Sequence, residues 1–65
     1  MIRFNFNKIR ELRNIKGLTQ SQFADRIGVS SAAVCQWERG LRLPQLFNIE
    51  VICNEFGVEP NYFFS

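Results

Sequence analysis

Apolar residues recur three or four positions apart along most of the chain, and short breaks divide this pattern into helical segments. In the first segment, Ile9 and Leu12 have the spacing of neighbours on one face of an α-helix. Asn5 or Asn7 can cap its start, because either side chain can accept hydrogen bonds from free backbone amides. Gly17 follows, and glycine commonly ends a helix in the left-handed conformation, so we predict a first helix that ends there.

Two more helical segments follow, each with its own start signal. Thr19 and Gln22 have the spacing of a capping box, which opens a second helix that runs to about Arg26. Ser30 is a good N-cap for a third helix. The residues predicted to face inward are Phe23, Ala24, Ile27, Val34 and Trp37. The glycines that end these two helices are Gly28 and Gly40.

The last third of the chain continues the helical pattern. One stripe repeats at i, i+3, i+7 and i+10, and its members are Leu46, Ile49, Cys53 and Phe56. Gly57 is the expected end of that helix, and Pro60 suits the first position of a final turn. A strand-like alternation is found only at Ile2, Phe4 and Phe6. We therefore expect an all-α fold, a compact bundle of four or five short helices in one domain over residues 1–65.

Charge is distributed unevenly along the chain. Residues 1–42 carry all eight Lys and Arg and three of the six acidic residues, a net charge of +5. Residues 43–65 carry the other three acidic residues and no basic one, a net charge of −3. Such a dipole indicates that one end of the molecule faces a polyanion, although chance clustering in a short chain gives the same pattern.

The composition argues against several classes of function. The two cysteines, Cys35 and Cys53, are far apart and the chain has no histidine, so we expect no metal site and no other cofactor. With one tyrosine and no acid pair beside a nucleophile, we expect no enzymatic activity. The sequence contains no signal peptide and no long apolar run, which predicts a cytoplasmic protein that does not contact membranes.

The segment from Gln20 to Trp37 is typical of a helix-turn-helix. Two helices joined by a very short turn can cross closely only over a small residue, which Ala24 supplies. Gly28 tolerates the positive φ that the turn requires. Val34 and Trp37 anchor the third helix by its back, which leaves its front free to project. Because an α-helix fits the major groove of DNA, this arrangement predicts a double-stranded DNA partner.

The same segment and its flanks resemble the Cro and phage-repressor (XRE) family of helix-turn-helix proteins. The resemblance extends from about Ile9 to Phe63. It rests on the runs Leu18–Ala24, Gly28–Ser30 and Trp37–Gly40, on Phe56–Val58, and on the single residues Arg13, Val34, Pro44, Tyr62 and Phe63. It implies a fold of five helices that binds operator DNA in the major groove, usually as a dimer.

The resemblance also implies roles for individual residues. Positions in the third helix that commonly touch base edges in the family match Ser31, Ala32 and Gln36, and the Gln36 amide suits adenine. Positions that hold DNA phosphates match Gln20, Arg39, Gly40 and Arg42. The family pairs the positions of Arg13 and Glu38 as a salt bridge. The alternatives are that Ser31 and Ala32 are only good early-helix residues, and that the ion pair is an exposed one that contributes about 0–1 kcal/mol.

A homodimer on DNA is expected because one recognition helix reads only a few base pairs. Phe47 and Val51 form a second apolar strip on the fourth helix, which Phe64 extends, and we interpret it as the dimer interface. The alternative is that Phe47 packs under the loop before this helix. The predicted function is a sequence-specific transcriptional regulator, a repressor, with no small-molecule ligand. The alternative function is a protein-binding module, such as an antitoxin-like or adaptor domain on the same fold.

Overall fold

The computed structural model describes residues 3–64, which form four α-helices and a closing turn of 3-10 helix. The helices are α1 (Asn7–Ile15), α2 (Gln20–Ile27), α3 (Ser31–Glu38) and α4 (Leu46–Phe56), and the turn is Pro60–Phe63. The predicted all-α bundle is therefore confirmed. Within the described residues, the only strand-like feature is an isolated antiparallel bridge between Phe4 and Phe64. Ile2, the first residue of the alternating segment, lies outside the described residues.

The helix starts follow the local sequence signals. The Gln22 backbone amide donates to Thr19 Oγ1 at 3.1 Å, and the Thr19 amide donates back to Gln22 Oε1 at 2.9 Å, so the capping box is confirmed. Ser30 Oγ accepts from the Ala33 amide at 3.1 Å and caps α3 as expected. These bonds satisfy amides that a helix start otherwise leaves without partners, and each cap stabilises the fold by about 1 kcal/mol.

Each helix contributes apolar side chains to one core. Phe23 from α2 and Phe56 from α4 stack with ring centroids 4.8 Å apart, and Phe63 from the closing turn is fully buried. Burying such a side chain stabilises a fold by about 1.5–3 kcal/mol. The other buried apolar residues are Ile9, Leu12, Ala24, Ile27, Val34, Trp37, Ile49, Ile52 and Cys53. This core holds α2 and α3 against each other and leaves one side of α3 uncovered.

The inward stripe of α4 differs from the prediction at one position. Leu46, which we expected inside, is 71% exposed, and Ile52, which the predicted stripe omitted, is 1% exposed. Side chains in a helix lean toward its N-terminus. As the first residue of α4, Leu46 therefore projects past the end of the helix instead of onto the core. The buried stripe is Ile49, Ile52, Cys53 and Phe56, spaced i, i+3, i+4 and i+7.

The segment before α1 is tied to the closing turn. The Asn5 backbone amide donates to the Phe63 carbonyl at 2.6 Å, and the Phe4 and Phe63 rings stack with centroids 5.9 Å apart. Asn5 Oδ1 accepts from the Asn7 amide at 3.1 Å, so of the two candidate caps for α1 it is Asn5 that bonds a backbone amide at the helix start. Both ends of the described chain thus lie against the same part of the core.

Candidate nucleic-acid interface

The turn between α2 and α3 has the geometry that the sequence predicted. Gly28 has φ +76°, a left-handed conformation that side chains with a Cβ rarely adopt. The Val29 amide donates to the Ala24 carbonyl at 3.0 Å, which closes the end of α2. Ala24 is buried where the two helices pack together. The short turn and the small residue together fix the angle at which α3 leaves the body of the domain.

α3 has one buried side and one exposed side. Val34 and Trp37 are buried in the core, and they hold the helix by its back. Successive residues are about 100° apart around a helix, so Ala32 and Gln36 lie on the opposite side, and Ser31, in the first turn, lies on the flank between the two sides. All three are exposed, and Cys35, between them, is half-buried. The structure thus brings the three residues predicted to contact bases onto one free surface.

The loop after α3 carries two arginines beside that surface. Arg39 and Arg42 are both exposed, and within residues 3–64 neither guanidinium lies within 4.0 Å of a carboxylate. The Leu41 and Arg42 amides donate to the Gln36 carbonyl at 2.9 and 3.4 Å, so this loop is anchored to the end of α3. Gln36 and Arg42 line the same surface depression, so an anion that contacts Gln36 there meets a cation with no acidic partner in residues 3–64.

Behind α3, a buried carboxylate joins three helices. Glu38 is 1% exposed, and its two oxygens accept from Arg13 Nε at 2.7 Å and Arg13 Nη2 at 3.0 Å. Gln20 Nε2 donates to the same carboxylate at 3.0 Å, and Arg10 Nε lies 3.5 Å from it. The remaining nitrogen of the Arg13 fork, Nη1, donates to the Leu18 carbonyl at 3.0 Å. The Arg13–Glu38 pair is thus a bidentate, largely buried contact between α1 and α3.

Electrostatics keeps this carboxylate ionised. Burial opposes the charge of Glu38, but hydrogen bonds from Arg13 and Gln20 and the positive charge of Arg13 outweigh burial. The pKa of Glu38 therefore lies below its ordinary value of 4.5. The hydrogen bond to Glu38 in turn raises the pKa of Arg13 above its ordinary value, against the effect of burial. Both partners are charged at neutral pH, and their geometry orients the end of α3.

Two contacts in this region were not foreseen from the sequence. Gln20, predicted to bind phosphate, gives its side-chain amide to Glu38, so its backbone amide in the first turn of α2 is the donor left for a ligand. Arg10 joins the Glu38 cluster. The spacing of Arg10 and Arg13, three residues apart on one helix face, is the signal that could have indicated the second contact.

The predicted dimer residues have different environments. Phe47 is 69% exposed, as expected, and does not pack under the preceding loop. Val51 is half-buried and packs against the core, so it offers a partner less apolar surface than Phe47 does. Phe64 contacts Phe4 edge-on at 5.7 Å. The exposed apolar residues near Phe47 in the sequence are Leu41, Leu43 and Leu46.

The described residues offer little for a metal or a thiol reaction. Within residues 3–64, no three His, Cys, Asp or Glu side chains are grouped closely enough to hold a metal ion. Burial and the nearby charge of Glu50 raise the pKa of the Cys53 thiol, which disfavours its reactive thiolate. No helix in this part of the chain is long and apolar enough to cross a bilayer.

Several known proteins are similar to this chain in sequence and in fold. The profile of the helix-turn-helix family matches residues 9–63. Over 51 residues, the chain is 37% identical to the HTH-type transcriptional activator BcrR of Enterococcus faecalis. That alignment covers 78% of this chain and 25% of BcrR, so the chain spans about a quarter of the length of this relative.

Two solved structures have a similar fold. The P22 c2 repressor, solved in complex with a synthetic operator, superposes with a TM-score of 0.84 at 26% identity. The superposition covers 94% of this chain and 92% of the repressor chain. The restriction-modification controller protein C.AhdI of Aeromonas hydrophila gives a TM-score of 0.82 at 36% identity over 91% and 89% of the two chains. Because the family profile and these structures agree over most of its length, the chain belongs to the helix-turn-helix family of DNA-binding transcriptional regulators, of the phage-repressor or XRE type.

Proposed function

We propose that α3 enters the major groove of double-stranded DNA and that Ser31, Ala32 and Gln36 read base edges there. The observation that carries this proposal is the free front of α3, which lies beside two arginines with no acidic partner in residues 3–64. The Gln36 amide can donate and accept at once, which suits adenine, and the Ala32 methyl suits the methyl group of thymine.

Backbone phosphates are the proposed ligands of the groups around α3. Arg39 and Arg42 supply charge, and the backbone amide of Gln20, the first residue of α2, supplies a further donor. Gly40, the fourth proposed phosphate residue, lies between the two arginines, and its own amide already donates to the Trp37 carbonyl at 3.1 Å. These contacts do not identify a sequence. They set the depth and angle at which α3 meets the bases, so that the side chains of Ser31, Ala32 and Gln36 can distinguish one base pair from another.

We propose that the regulatory outcome is repression by a homodimer. A protein that occupies a DNA site blocks other proteins from that site. The exposed side of α3 and the loop after it are sufficient for such binding. Two copies related by a two-fold axis double the number of base pairs read. Phe47, with Val51 and Phe64, is the proposed contact between the copies, and the exposed Leu46 adds apolar surface next to Phe47.

The test is a titration with duplex DNA over a range of salt concentrations. We expect the chain to bind random-sequence DNA at low salt, and to bind sites selected from a randomised pool more tightly. The logarithm of the binding constant should fall with the logarithm of salt concentration by about 0.9 per phosphate neutralised, or about 3–4 in total for a dimer with two arginines per chain. A flat response would contradict DNA binding and favour a protein-binding module.

A further inference from the structure

The ring of Phe6 lies directly against Gly40. A Cβ built on Gly40 would lie 3.0, 3.1 and 3.3 Å from three carbons of that ring, closer than such contacts normally come. Gly40 also has φ +74°, so its conformation is itself one that a side chain disfavours. The Phe6 ring therefore occupies space that glycine leaves open at the first position after Arg39.

Phe6 is held firmly from the opposite side. Its carbonyl accepts from the Ile9 amide at 3.2 Å, which fixes it to the first turn of α1. Its neighbour Asn5 donates to the Phe63 carbonyl at 2.6 Å, and Phe63 is fully buried. Phe6 as a whole remains 38% exposed, so its placement owes more to the backbone bonds around it than to burial. The core thus supports Phe6, and Phe6 supports Gly40.

The loop that follows α3 is consequently held on two sides. On one side, the Leu41 and Arg42 amides donate to the Gln36 carbonyl. On the other side, the Phe6 ring covers Gly40. Glycine is the residue with the greatest backbone freedom, so removing the ring would let this loop sample other conformations. Arg39, directly before Gly40, and Arg42, two residues after it, would then have to be ordered when a ligand binds.

We propose that Phe6 is a positioning residue for DNA binding, which holds the loop after α3 so that Arg39 and Arg42 face phosphates. This inference rests on the proposed function. It gives the segment before α1 a role in recognition through the protein, without any contact between that segment and DNA.

The test compares Phe6→Ala with Ile15→Ala, a control that removes an apolar side chain 67% exposed at the other end of α1. Binding is measured at a temperature where circular dichroism shows every variant fully folded, so that a loss of stability alone does not change the result. We expect Phe6→Ala to weaken binding about 3- to 10-fold and to lower the salt slope by about 1, the value for one phosphate contact. Ile15→Ala should change neither quantity.

Amide hydrogen exchange without DNA provides a second, independent measurement. Phe6→Ala should accelerate exchange at Leu41 and Arg42 while leaving the amides in the middle of α4 unchanged. Unchanged exchange, or an unchanged salt slope in Phe6→Ala, would overturn the role of Phe6 while leaving DNA binding by the wild-type chain intact. A wild-type chain with no salt dependence would instead overturn the proposed function, and with it this role of Phe6.

Discussion

At the scale of single residues, Glu38 has the most demanding environment. An ionised carboxylate that loses its water costs several kcal/mol unless hydrogen bonds replace that water. Arg13 and Gln20 provide three such bonds, and Arg10 adds positive charge at 3.5 Å. The cluster spans α1, α2 and α3, so its geometry sets how these helices meet.

The lowered pKa of Glu38 predicts loss of stability in acid. A carboxylate whose pKa is lower in the folded than in the unfolded state stabilises the fold above the unfolded value, and this contribution disappears as pH falls through the folded pKa. The free energy of unfolding of the wild type should therefore decrease as pH falls below about 4.5, the ordinary pKa of the side chain. Urea titrations across this range measure the effect.

The matched variants for this prediction are Glu38→Gln and Glu59→Gln. Glu38→Gln leaves Arg13 without its anion, so the free energy of unfolding should fall by about 3–5 kcal/mol at pH 7. As the pH is lowered further, the free energy of unfolding of this variant should decrease less than that of the wild type. Glu59→Gln removes an exposed carboxylate and should follow the wild type. An acid dependence as steep in Glu38→Gln as in the wild type would show that other carboxylates control acid unfolding.

At the scale of elements, α3 and the loop after it divide the proposed work. The exposed side chains of α3 are short or neutral, and they suit base edges. The charged groups, Arg39 and Arg42, stand after the helix and suit phosphates. Reading and holding DNA should therefore be separable by mutation.

Gln36→Ala and Arg42→Ala test this division. Gln36→Ala should weaken binding to the selected site by about 1–3 kcal/mol and leave binding to random DNA nearly unchanged, because only a base contact is lost. Arg42→Ala should weaken both and lower the salt slope by about 1. Binding curves on both DNAs at several salt concentrations distinguish the two. An equal loss on both DNAs for Gln36→Ala would show that it does not read bases.

At the scale of the whole molecule, the exposed apolar residues point to a partner. Leu41, Leu43, Leu46 and Phe47 are each more than 60% exposed, within seven consecutive residues of a small domain. They begin within the loop that carries the proposed phosphate contacts, because Leu41 lies between Gly40 and Arg42.

Phe47→Glu should prevent dimerisation on DNA without unfolding the domain, because its side chain is 69% exposed. We expect cooperative binding to disappear, and sedimentation to give one chain per operator where the wild type gives two. Ile15→Glu, at a side chain with 67% exposure on α1, is the control. Val51→Glu is unsuitable because Val51 packs against the core.

The wild-type operator provides the decisive check on the dimer. Selected sites should be near-palindromes with half-sites about 10 base pairs apart, one turn of DNA. Selected sites without two-fold symmetry, or a single wild-type chain in each complex, would exclude a dimer on DNA.

The sequence by itself determined the features that depend on a few neighbouring residues. The capping box of Thr19 and Gln22, the Ser30 cap and the turn at Gly28 each involve groups within about four positions, so their side chains and backbone conformations can be inferred locally. Helical periodicity also predicted the exposed side of α3, because Val34 and Trp37 were assigned to the core and the residues opposite them must then face outward.

Only the tertiary structure decided which groups meet across the fold. It exposed Leu46, whose side chain projects past the start of α4, and it buried Ile52 on the face that Ile49 and Cys53 share. It gave the Gln20 amide to Glu38, 18 residues away, and it placed Phe6 on Gly40. Helical periodicity assigns each side chain to a face of its own helix, but the partner on that face depends on how the helices pack. That packing is set by the shape of the whole core, to which residues far apart in the sequence contribute together.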